Sequence, residues 1–371
     1  MAQMILYIAL SSKKDGATVS QAYIEQTPAG EANEKIEWQV RHFKDSDVPG
    51  IVALSNAVAD HYKLQQSITD EQMRARLNAP RTDPERQVLV VEGPRLEGVP
   101  PSMPSGYARV FYEEDEETNE RMYFLSVKVH PAAEGLGLER ELARQIMDVV
   151  RGYESDPDMP RRSKITVKAW ALEPSSNLRT LWPDIGLAEV RQFWTMARPL
   201  DLPIDEPTLV EGVNIRPYRR PEDNDEARKA FNDSFSDHWD HHPTSAEDWD
   251  FWTAQPDTRP ELSWLAEIED HPGTFAGFCI ISINSEDNRK RGVQEGWIEL
   301  LGTTRDWRRV GLGRALLLNG LYSLEVAGME TALLGVDSLS PTGANRLYES
   351  VGFRIRMREF GYAAPLEQVK V

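Results

Sequence analysis

The feature that most constrains the fold of this chain is an internal repeat, because a pattern that begins at Ile36 begins again near Val213. In each copy a strand-like run comes first, and an acidic helix start follows it at residues 45–47 or 221–223. Acidic residues are favoured at the N-terminal ends of helices. A repeat on this scale predicts two related domains rather than one large core.

The rest of each copy follows the same order, with strand-like runs, a turn, a long amphipathic helix and a short closing helix. The strand-like runs are 88–92, 106–112 and 122–129 in the first copy, and 262–267, 274–283 and 296–303 in the second. Apolar residues recur at helical spacing from Leu136 to Val150 and from Leu316 to Leu324. We therefore expect the two copies to have the same architecture.

We predict four segments along the chain. Residues 1–35 form an N-terminal extension to which the sequence assigns no role, and residues 36–198 form the first domain. Residues 199–212 form a stiff linker, which carries three prolines within nine positions. Residues 213–371 form the second domain.

A basic, glycine-rich turn in the second copy lies between the run 296–303 and the amphipathic helix. Its sequence is Arg308-Arg309-Val310-Gly311-Leu312-Gly313. Glycines let the backbone approach an anion and adopt positive φ, and the helix that follows points free N–H groups at the same place. The turn is neither the dinucleotide Gly-x-Gly-x-x-Gly pattern nor a P-loop. It predicts a cradle for a pyrophosphate.

The spacing Arg-x-x-Gly-x-Gly resembles the acyl-CoA-binding signature of the GNAT acetyltransferases. Residues 340–353 resemble the second hallmark of that family, a short helix with Leu347-Tyr348 followed by Gly352-Phe353. The resemblance covers nearly all of residues 36–365 and is specific in the second copy. It implies an α/β (α+β) chain of two tandem GNAT domains, each a mixed, mostly antiparallel sheet flanked by helices. The layout is similar to the mycothiol synthase type within this family.

The resemblance also implies acetyl-CoA as the acyl donor. The strand end at 301–303 is expected to lie along the pantetheine arm and to polarise the acetyl carbonyl. The residues predicted to bind acetyl-CoA are Leu301, Gly302, Thr303, Arg308, Arg309, Val310, Gly311, Leu312, Gly313, Arg314 and Asn345.

By the same resemblance, an amine attacks the thioester directly, so the protein must supply a general base and stabilise the departing thiolate. Several relatives place the catalytic glutamate where this chain has Trp297. We predict Glu299 as the base, directly or through a water. Strand alternation predicts that Glu299 shares one face with Leu301 and Thr303. The competing interpretation of Glu299 is a solvated carboxylate or an ion pair with a neighbouring strand.

Tyr348 matches the position of the tyrosine that donates a proton to the thiolate in this family. The competing interpretation is a tyrosine that serves only in packing.

A polar cluster, Phe235 to His242, stands where GNAT folds bind the acceptor. We predict that Asp237, His238 and Trp239 line the acceptor site, with Asp237 suited to an ammonium. The histidines also suggest a metal site, but no cysteine or second cluster completes a tetrahedral set, and we predict none. An ordinary polar helix end is the remaining interpretation.

The first copy differs at the positions that carry the chemistry. Glu134 replaces the basic residue of the signature, Glu139 replaces its last glycine, and Trp182 replaces the tyrosine. Carboxylates would repel a pyrophosphate. We predict a degenerate domain that supplies an interface or a wall of the acceptor pocket.

Composition excludes some classes of protein. The net charge of −18 argues against a nucleic-acid-binding surface. No run approaches 18 apolar residues, so we expect a cytoplasmic protein with no membrane partner. The single cysteine, Cys279, lies in an apolar run and is expected to be a buried hydrophobe.

The sequence therefore predicts an acetyl-CoA-dependent N-acetyltransferase that acts on a small-molecule amine, with catalysis in the second domain. The alternative is a non-catalytic acyl-CoA-binding or scaffold protein. The sequence specifies neither the acceptor nor the oligomeric state.

Overall fold

The structure is a computed structural model that describes residues 36–64, 67–78, 82–94, 96–115, 118–236, 243–340 and 343–371. Contacts within the chain divide these residues into two compact units. The N-terminal unit contains residues 36–192 and 359–371, and the C-terminal unit contains residues 193–358. The predicted boundaries separate the two sequence copies, whereas the compact units divide at 192 and 358.

The elements of the N-terminal half are, in order, β1 (Gln39–His42), α1 (Val48–His61), α2 (Asp70–Leu77), α3 (Pro84–Gln87), β2 (Val88–Gly93), β3 (Gly106–Asp115), β4 (Glu120–Val129), α4 (Leu138–Ser155), β5 (Lys164–Leu172), α5 (Ser176–Asp184) and β6 (Ala188–Pro199). Those of the C-terminal half are β7 (Val213–Pro217), α6 (Asn224–Phe235), α7 (Ala246–Thr253), β8 (Trp264–Ile268), β9 (Phe275–Ser282), α8 (Ser285–Arg291), β10 (Glu295–Thr303), α9 (Leu312–Val326), β11 (Thr331–Asp337), α10 (Ala344–Ser350) and β12 (Arg354–Pro365).

The strands of the two units follow the same plan. In the N-terminal unit the order is β1-β2-β3-β4-β5-β12, and in the C-terminal unit it is β7-β8-β9-β10-β11-β6. Neighbours are antiparallel except for β4 with β5 and β10 with β11, which are parallel. The predicted fold class, with mixed and mostly antiparallel sheets flanked by helices, is confirmed.

The last strand of each sheet comes from the other half of the sequence. Residues 359–365 of β12 pair with β5, and residues 193–199 of β6 pair with β11. The repeat places the final strand in the second copy and does not predict this exchange.

Strand β9 is the centre of the C-terminal unit, and all eight of its residues are buried. Its side chains alternate between two layers of helix. The α9-side cluster includes Cys279, Ile281, Ile298, Leu316 and Leu321. The α6-side cluster includes Phe231, Trp249, Trp252, Phe278, Ile280 and Leu300. Burial on both faces explains why residues 275–283 form a nearly continuous apolar run.

The predicted linker packs against its own unit. Leu200 is buried, and Ile204 and Val210 lie against the α9-side cluster. The buried Arg198 guanidinium donates to the carbonyl oxygens of Val351, at 2.6 Å, and Pro203, at 2.8 Å. These contacts hold the segment along the C-terminal unit.

Candidate functional site

The parallel strands β10 and β11 separate part-way along their length. They pair over Glu295–Ile298 and Thr331–Leu334. Beyond that point β10 continues to Thr303 beside β9, and β11 continues to Asp337 beside β6. Backbone groups along an unpaired edge need hydrogen-bond partners. The opening can therefore take an extended ligand beside residues 301–303.

A β-bulge places Glu299 at the start of this opening. Ile298 lies opposite Ile281 and Leu300 lies opposite Ile280, so Glu299 is an extra residue in β10. Bulges redirect side chains locally and are frequent beside active sites.

The bulge shifts the alternation of side chains along β10 by one residue. Ile298 and Leu301 both lie with the α9-side cluster, whereas Leu300 lies with the α6-side cluster. Thr303 also faces α9. Glu299 bonds to Ser282, which follows the α9-side residue Ile281 and so faces the other side of the sheet. The prediction that Glu299, Leu301 and Thr303 share one face is therefore wrong, because strict alternation does not pass through a bulge.

The Glu299 carboxylate is half-buried and held on one side. Its Oε1 accepts a hydrogen bond from Ser282 Oγ at 2.6 Å. Its Oε2 is buried and has no partner among the described residues. Burial raises the pKa of Glu299, and the charge of Asp257 raises it further. A glutamate with a raised pKa is better matched to a general base near neutral pH.

Tyr348 lies on the opposite side of β10 from Glu299. Its ring is buried in the α9-side cluster, with an edge-to-face contact to Phe353 at 6.1 Å between centroids. Leu301, which lies opposite Cys279 on β9, packs against the same cluster. Burial raises the pKa of Tyr348, with a smaller contribution from Cys279. The hydroxyl therefore remains protonated and able to donate.

The turn before α9 has the conformation of an anion cradle. Arg309 has φ +65°, and Gly311, with φ +90°, caps the helix that begins at Leu312. Among the described residues, no hydrogen-bond acceptor is recorded for the N–H groups of 310–313. Free N–H groups at a helix N-terminus favour an anion such as a phosphate.

Two arginine side chains brace the turn. The Arg308 guanidinium donates to the carbonyl oxygens of Ser234, at 2.9 Å, and Thr303, at 3.4 Å. Arg314 pairs with Asp205 at 2.6 Å. Recognition of a pyrophosphate would therefore fall to the backbone N–H groups and the exposed Arg309.

Two further features fit acetyl-CoA. A Cβ added to Gly313 would lie 3.7 Å from both Leu347 and Thr303, which is ordinary contact. The protein itself does not require glycine at 313, whereas a closely approaching ligand would. Asn345 donates to the carbonyl of Ser338 at 2.9 Å, and its buried Oδ1 lacks a partner within the described part of the chain. Such an oxygen suits the amide N–H groups of a pantetheine arm.

The corresponding turn of the N-terminal unit has the same backbone shape but is filled. Gly135 has φ +73° and Gly137, with φ +83°, caps α4, so Glu139 occupies the position of Gly313. The buried Glu139 carboxylate accepts from the N–H of Gly135 at 3.1 Å and from Asn177 Nδ2 at 3.2 Å. A carboxylate of the chain thus takes the place of an external anion.

Glu134, at the position of Arg308, accepts from the Tyr62 hydroxyl at 2.5 Å. Burial raises the pKa of Glu139, and the charge of Glu134 adds to this effect. The two turns therefore differ by more than charge repulsion. The N–H of Gly135 has an acceptor in Glu139, whereas the N–H groups of 310–313 have no acceptor among the described residues.

The predicted acceptor residues Asp237, His238 and Trp239 lie outside the described residues, which resume at Pro243 before α7. Within the described ranges, no group of three or more His, Cys, Asp or Glu side chains could hold a metal ion. No helix in these ranges is long and apolar enough to cross a bilayer.

Two neighbours of Glu299 escaped the sequence analysis. Asp257 follows α7 and belongs to no motif, and Ser282 is visible in sequence only as the polar end of a buried strand. Cys279 is buried as predicted, and burial raises its pKa to about 12, which makes an acyl-cysteine route unfavourable.

Comparisons with known proteins bear on the family and the fold of this chain. The model of the acetyltransferase (GNAT) family matches residues 224–353. A mycothiol acetyltransferase from Thermobispora bispora is 32% identical over 226 residues, which cover 61% of this chain and 70% of the relative.

Two solved structures have a similar fold. A GCN5-related N-acetyltransferase from Sphaerobacter thermophilus has a TM-score of 0.68 at 24% identity, covering 89% of this chain and 96% of that one. A tandem GNAT protein from the clavulanic acid biosynthesis pathway has a TM-score of 0.63 at 15% identity, covering 89% and 99%.

Proposed function

Because the chain belongs to the GNAT family of N-acetyltransferases, we propose that its C-terminal unit transfers the acetyl group of acetyl-CoA to a small-molecule amine by direct attack. Acetyl-CoA is the acyl donor of this family, and when bound it supplies the thioester that the amine attacks.

The observation that carries the proposal is the contrast between the two turns. The N–H groups of 309–313 have no acceptor among the described residues, whereas the N–H of Gly135, at the position of Arg309, donates to Glu139. One anion site is open and the other is filled by the chain itself. The C-terminal unit is therefore the half equipped to hold the donor.

Glu299 is proposed to take the proton that the ammonium of the acceptor must lose. Oε1 is held by Ser282, which leaves Oε2 without a partner in the described structure and free to accept that proton. The raised pKa of Glu299 favours this transfer. The backbone of 301–303 orients the acetyl carbonyl at the opening between β10 and β11.

Tyr348 is proposed to protonate the sulfur as the C–S bond breaks. The nitrogen lone pair forms the new C–N bond, the sulfur leaves with the electron pair of the C–S bond, and the phenol supplies a proton to the sulfur. The extra proton on the newly acylated nitrogen then passes to the phenolate, which restores Tyr348. The products are an N-acetylated amine and free CoA. The raised pKa of Tyr348 keeps the phenol protonated until that step.

The acceptor is proposed to be a small molecule rather than a protein. Asp237, His238 and Trp239 remain the proposed contacts, with the ammonium near Asp237. Because the relatives include mycothiol acetyltransferases, the amine that those enzymes acetylate is the first acceptor to test.

The test is release of free thiol from acetyl-CoA with that amine and with a panel of other primary amines. Turnover should fall at least 100-fold in the Glu299→Gln variant, while calorimetry shows unchanged acetyl-CoA affinity. Wild-type protein that binds acetyl-CoA and acetylates no amine would contradict the proposal. Full activity in a Glu299→Gln, Tyr348→Phe double variant would contradict the assigned roles.

A further inference from the structure

Beyond the end of β8, the segment that follows α7 pairs with the edge of β9. The N–H of Ile283 donates to the carbonyl of Asp257 at 2.8 Å, and the N–H of Arg259 donates to the carbonyl of Ile281 at 2.9 Å. Between them, Thr258 pairs with Ser282. These bonds place Asp257 beside Ser282, whose hydroxyl donates to Glu299.

The Asp257 side chain is itself held in place. Asn284 Nδ2 donates to Asp257 Oδ2 at 3.0 Å, and Asn284 Oδ1 accepts from the N–H of Asp287 to cap α8. The half-buried carboxylate therefore has a set position. Its own pKa is raised by burial, with contributions from Asp287 and Glu286 on α8.

Other charges close to this region are compensated. Glu295, on the same strand as Glu299, binds Arg291 at 2.9 Å and Arg356 at 2.7 Å. Asp287 binds Arg291 at 2.7 Å. Among the described residues, Asp257 is the charged group that raises the pKa of Glu299.

We propose that Asp257 is a positioning residue for the base. The negative charge of Asp257 favours the protonated form of Glu299, so Glu299 keeps the proton that it takes from the acceptor ammonium. A second carboxylate near a first opposes loss of that proton. This inference rests on the proposed function, because it assigns Asp257 a part in the same proton transfer. Ser282 and the edge segment 257–259 set the geometry between the two carboxylates.

The test reads the proton on Glu299 without requiring turnover. Glutamate carboxyl carbons are labelled with ¹³C and titrated by NMR, and the Glu299 signal is assigned by its loss in Glu299→Gln. In Asp257→Asn, which keeps an oxygen for Asn284, the midpoint should move to lower pH. Asp257→Ser provides a second variant if the first does not fold.

The matched control is Glu286→Gln, which removes an exposed charge paired with Lys290 at 2.9 Å. Glu286 acts on Asp257 and not directly on Glu299, so the Glu299 midpoint should shift much less than it does in Asp257→Asn. An unchanged midpoint in a folded Asp257 variant, or an equal shift in the control, would overturn the proposal. The acid limb of kcat/KM should move with the midpoint. Failure of the wild type to acetylate any amine would count against the proposed function alone, since the titration still decides the role of Asp257.

Discussion

Gly313→Glu copies the filled turn of the N-terminal unit into the C-terminal unit. The two turns match in backbone conformation, so the new carboxylate should accept from the N–H of Arg309 as Glu139 accepts from Gly135. The residue lies in the first turn of α9, where a carboxylate is favourable and glycine is a poor helix former. We expect the variant to be at least as stable as wild type and to bind acetyl-CoA poorly.

The size of the effect follows from the contacts of Glu139. Its carboxylate accepts a hydrogen bond from the N–H of Gly135, the one bond that the variant would reproduce, and a bond to a charged group contributes about 1.5–3 kcal/mol. Displacing a carboxylate from such a position costs about 3 kcal/mol, and repulsion of the pyrophosphate adds to this. Since each 1.4 kcal/mol is tenfold, the affinity should fall by roughly 100-fold or more.

Isothermal titration calorimetry measures the affinity and differential scanning calorimetry measures stability. Gly313→Gln has the same length without the charge, and it should lose much less affinity than Gly313→Glu. A Gly313→Glu variant that binds within threefold of wild type would refute the reasoning. Equal losses in both variants would show that bulk, rather than charge, closes the cradle.

Three further predictions concern single residues. Because burial raises the pKa of Glu139 above its usual 4.5, the folded state binds more protons, and stability should fall as the pH rises from 4.5 through the folded-state pKa. Glu139→Gln should remove this dependence of stability on pH, measured by chemical denaturation at several pH values. The same dependence in the variant would contradict the prediction. Tyr348→Phe should lower kcat by about 100-fold with little change in acetyl-CoA affinity, and a kcat near wild type would leave Tyr348 only its packing role. Gly302→Ala would bring a Cβ to 2.4 Å from the Phe278 ring, so thermal unfolding should show a loss of about 1–3 kcal/mol. The control Gly335→Ala, whose Cβ meets nothing within 4 Å, should show little loss.

The turn before α9 and the family were predictable because both depend on local sequence. Glycine spacing sets where positive φ is possible, and a helix start follows from it. The strand predicted to begin near Val213 spans Val213–Pro217, and the helix predicted to start at 221–223 runs from Asn224 to Phe235. The GNAT resemblance drawn from two motifs is confirmed.

The surroundings of Glu299 were less predictable because they depend on distant residues. The bulge at Glu299 is set by the register with β9, and alternation within β10 alone cannot reveal it. Asp257 and Ser282 approach Glu299 from 42 and 17 positions earlier in the sequence. The sequence also places Glu134 and Glu139 in the first turn, but it does not show that Glu139 accepts a hydrogen bond from the N–H of Gly135, which depends on the local backbone conformation.

The exchange of strands bears on how the chain is made. While β12 is still being synthesised, β5 lacks its partner on one side, although every other strand of that sheet has already emerged. An unpaired edge is a site of misassociation, and domains otherwise tend to fold in order of synthesis. The sheet of the N-terminal unit is therefore complete only after residues 359–365 have been made. A stop codon placed before residue 359 would therefore damage the sheet of the half that was translated first.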